Sequence, residues 1–253
     1  MTRELREALA GPMFNPVLKT YVGNGELDYE RYVRTTELLS LQSKHVELSD
    51  PDELMFQVVH QAQELWLKLV GHELAEVVDD LDRDDLWPVA GRLERLVRIL
   101  GCMADELRVL ETLTPDTYQV IRRNLGNGSG QESPGYNAVQ TAAPYVLTAL
   151  GGALDRAGLG LAEVYRTGDP ALKRVCEALL DFDGRYQTWL MGHFMLVRRT
   201  IGVGRDTKAL DGVPARVLTG RMTKPLFGEL WRVRDELTEG WEREGGHVPG
   251  ADR

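Results

Sequence analysis

Hydrophobic residues recur three and four positions apart over long windows of this chain, and strand-like alternation is scarce. Such spacing places apolar side chains on one face of an α-helix. From Asp52 to about Leu81 the apolar stripe is wide, which predicts a helix central to the core. Two more long helices are predicted, from about Leu86 to Leu113 and from about Ala171 to Ile201. The pattern therefore indicates an all-α fold, a bundle of long helices.

Four helix starts carry capping residues or proline. Asp28 precedes one amphipathic segment, and Asp50–Glu53 opens the central helix. Thr114–Asp116 and Asp169–Pro170 open two more. Asp and Thr side chains accept hydrogen bonds from the free N–H groups of the first turn, and proline at the first helical position has no N–H to leave unpaired.

Composition narrows the class of protein. At 253 residues, the chain is expected to form a single domain, residues 1–253. A net charge of −9 argues against a nucleic-acid partner, because phosphate binding needs clustered Lys and Arg. The two cysteines are too few for a disulfide framework. The charged N-terminus and the absence of a long apolar run favour a cytoplasmic protein with no membrane span.

Histidines are the first candidates for chemistry. The chain has five: His45, His60, His72, His193 and His247. His60 and His193 each lie among large apolar side chains. Burying an imidazole without a partner costs roughly 1–3 kcal/mol. Each of these two is therefore either a hydrogen-bonded core residue or a metal ligand.

Spacing tests the possible metal sites. Di-iron bundles need two Glu-x-x-His pairs, and this spacing occurs only at Glu244–His247, near the C-terminus. His72 is not followed by the zinc-peptidase pattern, and no Cys-x-x-Cys-His motif for c-type haem exists. The remaining metal hypothesis is haem bound non-covalently by one histidine, with the opposite face of the iron open.

Tyr118 and Arg122 form a second candidate site. They are four residues apart, so a short helix would present both on one face. The planar guanidinium matches a carboxylate, which suits an amino-acid substrate. An amphipathic helix with a surface arginine is the alternative. The loop that follows, Gly126–Gly130, lacks the Gly-Lys-Ser/Thr ending of a phosphate-binding loop.

Five segments in the same order closely resemble the tryptophan 2,3-dioxygenase family. The most specific contains His-Gln-x-x-Glu-Leu-Trp, starting at His60. The segments cover most of the chain between positions 29 and 202: Tyr29–Gln42, Asp52–Lys68, Val109–Pro115, Tyr118–Ser133 and Trp189–Gly202. The resemblance implies an all-α bundle that encloses a b-type haem, with O2 as co-substrate.

The resemblance also implies roles for the residues already noted. His193 matches the axial ligand of the haem iron, and His60 matches the distal histidine that faces the indole N–H. Phe56 matches a wall of the substrate pocket. Tyr118 and Arg122 match the pair that holds the substrate carboxylate.

Further positions match the rim of the family's pocket. Ser129 and Gly130 match the loop over the haem. The resemblance implies that the N-terminal segment, residues 1–45, packs on a neighbouring subunit. In the family, this segment completes the neighbour's pocket, and the matching positions here are Tyr29, Tyr32 and Val33. The family is tetrameric, so a homo-oligomer, a tetramer or a dimer, is implied.

The implied reaction inserts both atoms of O2 across the indole C2–C3 bond of L-tryptophan or a substituted tryptophan and yields an N-formylkynurenine-type product. Monooxygenation of a tryptophan derivative or another aromatic amino acid in secondary metabolism is the first alternative. A haem-binding sensor or carrier without catalysis is the second. A helical scaffold without cofactor, in which both histidines are hydrogen-bonded core residues, is the third.

Three departures from the family lie near the pocket. The family's Gly-Thr-Gly-Gly-Ser loop, which contacts the substrate's amino group, is replaced by Val203–Gly212, where Thr207 is the candidate substitute. Within Ser129–Ser133, Gln131 stands where the family has phenylalanine. The stretch before Trp189 is also shorter. These changes predict a more open or differently shaped lid over the pocket.

Overall fold

Helices form the regular structure of this protein, which confirms the all-α prediction. The computed structural model describes residues 2–9, 21, 27–128, 130–166, 168–214, 220, 222–241 and 245. Within these ranges, the β-type pairing is an isolated bridge between Lys208 and Pro214. The chain divides into two compact units, Met1–Glu47 and Leu48–Arg253. That both belong to one domain stays a prediction.

In the described part of the first unit the helices are short: α1 (Thr2–Leu9), α2 (Asp28–Val33) and α3 (Thr35–Leu38). Arg34 has a φ of 57°, a left-handed conformation that separates α2 from α3. The predicted cap Asp28 lies inside α2 rather than before it. The N–H of Leu27 instead donates to the Glu30 carboxylate at 2.9 Å, which anchors the first turn.

The second unit contains the long helices of the fold. Its described helices are α4 (Glu53–Asp82), α5 (Leu86–Leu110), α6 (Pro115–Arg122), α7 (Pro134–Ala157), α8 (Leu161–Arg166), α9 (Pro170–Thr200) and α10 (Gly228–Glu239). Helix α4 packs on both α5 and α7, and α5 packs on α9. Fully buried aliphatic side chains such as Leu74, Leu93 and Leu100 fill these interfaces, each stabilising the fold by roughly 1.5–3 kcal/mol.

Two of the predicted helix caps are confirmed. The Thr114 hydroxyl accepts from the N–H of Thr117 at 3.4 Å and starts α6. The Asp169 carboxylate accepts from the N–H of Ala171 at 2.6 Å and starts α9. The long predicted helices end within a few residues of their expected positions, and α5 stops earlier than predicted because residues 111–113 form a turn.

The start of α4 differs from the prediction. Asp52 occupies the cap position, but its side chain makes no capping hydrogen bond. The carboxylate of Glu53 folds back and accepts from both the N–H and the hydroxyl of Ser49, each at 2.7 Å. A buried glutamate thus fixes the entry of the chain into α4.

Helix α7 is a long helix that the hydrophobic spacing did not reveal. Its buried face carries small residues such as Ala143, Ala149 and Ala153, which let α7 approach α4 closely. Pro144 lies inside it and removes one backbone donor. None of the described helices has the length and hydropathy needed to cross a membrane.

Candidate active site

One cavity in the second unit holds most of the predicted site residues. It has a volume of about 540 Å³, within the range of roughly 300–1,000 Å³ typical of ligand clefts. Helices α4, α5, α6 and α9 and the turn at residues 130–133 contribute its walls. Much of the lining is aliphatic: Leu67, Leu107, Leu110, Leu113, Leu190 and Leu196.

His193 of α9 lies deep in the protein, and its imidazole ring lines this cavity. Burial lowers the pKa of its imidazole to about 4, and the nearby His60 adds to the shift. No described residue forms a hydrogen bond with its ring nitrogens. At neutral pH the ring is therefore uncharged, the form that binds metals, and none of the described residues occupies its lone pair.

His60 of α4 lines the same cavity. Its Nδ1 lies 2.7 Å from the carbonyl oxygen of Phe56, one helical turn earlier. Because a carbonyl only accepts, we assign the hydrogen to Nδ1, which leaves Nε2 of the neutral ring as an acceptor. Burial lowers the pKa of His60 below 6.5, while the Phe56 hydrogen bond and the charge of Glu64 oppose the shift. The accessible surface of this ring faces the cavity.

Phe56 places an aromatic wall beside both His60 and Tyr118. The Phe56 and His60 ring centroids are 4.1 Å apart at an interplanar angle of 36°, and those of Phe56 and Tyr118 are 6.1 Å apart. Burial raises the pKa of the Tyr118 phenol, and the charge of Arg122 opposes the shift. Tyr118 therefore stays a neutral hydrogen-bonding group at the edge of an apolar wall.

Arg122 lies one turn after Tyr118 on α6, and both residues line the cavity. The shared face predicted from their spacing is therefore present. The guanidinium Nη2 donates to the backbone carbonyl of Lys208 at 3.0 Å. Arg122 thus joins α6 to the segment that covers one end of the cavity, and it is not a freely solvated surface arginine.

The turn at Gly130–Glu132 approaches His193 closely. A Cβ atom added at Gly130 would lie 3.5 Å from His193 Nε2, an ordinary van der Waals contact, so the turn packs directly beside this nitrogen. Ser129, the other predicted residue of this loop, lies outside the described residues.

Sequence comparison with known proteins identifies the family. The family model for tryptophan 2,3-dioxygenase matches residues 17–142. A tryptophan 2,3-dioxygenase of Erythrobacter litoralis is 31% identical, and the alignment covers 84% of this chain and 99% of that protein. The chain belongs to the tryptophan 2,3-dioxygenase family. A relative with that name from Xanthomonas campestris pv. campestris is 29% identical, with 84% of this chain and 88% of the relative aligned. One from Herpetosiphon aurantiacus is 27% identical, with 83% and 98% aligned.

The family match contains Phe56, His60, Tyr118 and Arg122, and His193 lies beyond its C-terminal end. The His-Gln-x-x-Glu-Leu-Trp segment has a structural role as well. Gln63 donates to Glu106 and to the Met103 carbonyl, both at 2.9 Å, and accepts from the Trp189 indole at 2.8 Å. The Trp66 indole donates to Glu106 at 2.9 Å. This buried network joins α4, α5 and α9 one turn from His193.

Sequence reasoning assigned no role to Gln63, Glu64, Trp66 or Trp189 individually. The signal that could have found them is the presence of polar residues inside an otherwise apolar helix face. A buried glutamine needs several partners, so its presence next to Trp66 and His60 predicts a hydrogen-bond network at that height of the bundle.

In this member of the tryptophan 2,3-dioxygenase family, Thr207 is not among the residues that line the cavity. Its N–H donates to the Gly204 carbonyl at 3.1 Å within a turn. Ala209 and Leu210 face the cavity instead, held by the hairpin that the Lys208–Pro214 bridge closes. The segment that replaces the family's glycine-rich loop therefore offers apolar side chains to the pocket.

Tyr29, Tyr32 and Val33 belong to α2 in the first unit and are not among the residues that line the cavity. In the single chain their exposed fractions are 69%, 90% and 39%. The side chains of two tyrosines and a valine are therefore exposed on one short helix.

Proposed function

We propose that this protein is an oxygenase that binds haem b through His193 and uses O2 to oxidise the indole ring of L-tryptophan or a substituted tryptophan, with an N-formylkynurenine-type product. The observation that carries the proposal is that two neutral imidazoles, His60 and His193, face one aliphatic cavity that also contains Arg122. Membership of the tryptophan 2,3-dioxygenase family supports the same reaction.

The residues present fit a b-type haem. His193 supplies an uncharged nitrogen with no competing hydrogen bond from the described residues, and aliphatic walls suit an apolar macrocycle. Gly130 leaves the space beside Nε2 free of a side chain. The described residues contain no cluster of histidine, cysteine and carboxylate that would hold a bare metal ion instead. When bound, haem supplies the oxygen chemistry that amino-acid side chains lack.

Arg122 is the proposed anchor for the substrate carboxylate. Its planar guanidinium can donate two parallel hydrogen bonds, and it already lies at the cavity wall next to the Tyr118 phenol. In the structure it donates to the Lys208 carbonyl, so a bound carboxylate would compete for or share this donor. Fixing the carboxylate fixes the distance from the anchor to the indole ring.

His60 is the proposed partner of the indole N–H. Since Nδ1 donates to the Phe56 carbonyl, the lone pair of Nε2 is available to an indole donor. Phe56 supplies an apolar face next to this imidazole. His60 therefore orients the ring, and Ala209 and Leu210 help to keep water from the reacting face.

The exposed face of α2 is proposed to complete the pocket of a neighbouring subunit in a homo-oligomer. Its support is the exposure of Tyr29 and Tyr32 together with the resemblance of this segment to the family. Light scattering of the purified protein would measure the oligomer size, and a strictly monomeric protein would contradict this assignment.

Oxygen labelling decides the reaction type. The ferrous protein is incubated with tryptophan and doubly labelled dioxygen, and the product is analysed by mass spectrometry. Two labelled atoms in one product are expected. One labelled atom would support the monooxygenase alternative. Haem binding without turnover of any indole amino acid would identify a sensor or carrier.

We expect His60→Ala to retain haem and to lower kcat/KM for tryptophan by roughly 10- to 100-fold, because the indole loses its acceptor and its orientation. The Soret band measures haem, and initial rates measure turnover. His72→Ala is the matched control, since His72 is an exposed histidine on the same helix. Loss of haem from the His60 variant would mean that the two histidines have exchanged roles.

Substrate binding should also depend on pH through His60. Its pKa lies below 6.5, so the ring is neutral at pH 7 and becomes a cation as the pH falls through that lowered value. The cation has a donor at Nε2, which faces the donor of the indole, so the affinity should fall on the acid side. Spectroscopic titrations with tryptophan at several pH values measure this loss of affinity. The same loss of affinity in His60→Ala would exclude His60 as its origin.

A further inference from the structure

Glu64 lies one helical turn after His60 on α4 and lines the cavity. Its carboxylate accepts a short hydrogen bond from the Ser133 hydroxyl and a second from the N–H of Gly135, at 3.0 Å. Both donors belong to the start of α7, which immediately follows the turn beside His193. One side chain of α4 therefore holds the point at which this turn becomes a helix.

The packing around Glu64 leaves this junction little freedom. A Cβ atom at Gly135 would lie only 2.4 Å from Leu67 Cβ and 2.9 Å from Glu64 Oε2, so the first turn of α7 lies directly on α4. The Ser133 hydroxyl also accepts from the N–H of Tyr136 at 3.0 Å. Ser133 thus caps α7 and binds Glu64 at the same time.

The turn itself forms part of the pocket. Residues 130–133 line the cavity, and Gly130 lies against the His193 imidazole. The position of this turn therefore sets both the shape of the cavity and the space beside Nε2. The hydrogen bonds from Ser133 and Gly135 to Glu64 fix its C-terminal end.

We propose that Glu64 is a positioning residue of the active site, which holds the Gly130–Glu132 turn in place as a wall of the substrate pocket. It acts through Ser133 and Gly135 and does not need to touch the substrate. The inference rests on the proposed function, because it assigns the turn to the pocket of the oxygenase. A purely structural Glu64 would cap α7 and contribute to stability without affecting substrate affinity.

The test compares tryptophan affinity in haem-loaded variants, measured by the shift of the Soret band on titration. Glu64→Ala should raise the Kd by about tenfold at unchanged haem content. Glu64→Gln keeps an acceptor for the Gly135 N–H and a donor for the Ser133 hydroxyl, so most of the affinity should return. The matched control is Glu76→Ala, a substitution on the same helix as Glu64 that breaks an ion pair with Arg92 of α5, away from the cavity.

Ser133→Ala tests the partner of Glu64. It should weaken tryptophan binding in the same direction, and the double variant with Glu64→Ala should lose less than the sum of both effects, because the two residues share one hydrogen bond. Fully additive losses would show that Glu64 and Ser133 act separately. An unchanged Kd in Glu64→Ala, with only a lower Tm as in Glu76→Ala, would overturn the proposal.

Amide hydrogen exchange keeps the test independent of catalysis. In Glu64→Ala, the amides of residues 130–136 should exchange at least about tenfold faster than in the wild type, while Glu76→Ala should leave them unchanged. If the wild type binds no haem or tryptophan, the proposed function fails, and this measurement still decides whether Glu64 holds the turn. Unaltered exchange in Glu64→Ala would reject that role.

Discussion

His193→Ala protein, purified from haem-replete cells, is expected to lack a Soret band, with haem affinity lower by more than about 100-fold. The direct ligand should matter more than the residues that support a ligand, whose loss typically costs roughly 10–100-fold. The physical reason lies in the state of the imidazole. Burial keeps His193 neutral, with a pKa of about 4, and no described residue takes its ring nitrogens by a hydrogen bond.

His60 is the side chain that could dispute this assignment, since its Nε2 also faces the cavity. The pair of variants separates the two: haem lost in His193→Ala and retained in His60→Ala is expected. Added imidazole provides a sharper test, because it can enter the space vacated by the ring and restore the Soret band of His193→Ala. If haem is retained in His193→Ala but lost in His60→Ala, then His60 is the iron ligand and the two assignments must be exchanged.

The long helices were predictable where large apolar residues recur at helical spacing. Helices α4, α5 and α9 carry Leu, Val and Phe on their buried faces, and their bounds follow the sequence pattern. Helix α7 buries mostly alanine, glycine and valine, with only Leu150 and Leu154 as larger side chains, and Pro144, a usual helix-breaking signal, interrupts its stripe. Its existence depends on close packing against α4, which a single sequence does not display.

The site, too, has a part that the sequence predicts and a part that it does not. The spacing of Tyr118 and Arg122 placed both on one face, because that relation is local. The hydrogen bonds from Trp189 to Gln63 and from Ser133 to Glu64 join residues 126 and 69 positions apart, so they depend on the tertiary fold. Thr207 shows why loop residues are hard to assign from sequence. An irregular segment has no period that shows which of its side chains points into the cavity.

Arg122→Leu should raise the Kd for tryptophan by roughly 100-fold and leave the haem spectrum unchanged. A charge-assisted hydrogen bond contributes about 1.5–3 kcal/mol, and leucine can donate none. Arg123→Leu is the matched control, because Arg123 is the adjacent residue, is exposed, and is not among the residues that line the cavity. Equal affinity in Arg122→Leu and the wild type would show that the carboxylate anchor is elsewhere.

The leucine substitution also breaks the bond from Arg122 to the Lys208 carbonyl, so a weaker Kd could come from a displaced lid. Tryptamine separates these effects, since it has the indole and the ammonium group but no carboxylate. In the wild type, tryptophan should bind much more tightly than tryptamine, and in Arg122→Leu the two should bind nearly equally. If both ligands weaken by the same factor, Arg122 acts through the lid alone. If the preference for tryptophan over tryptamine is lost only in Arg122→Leu, the substrate carboxylate binds the Arg122 guanidinium.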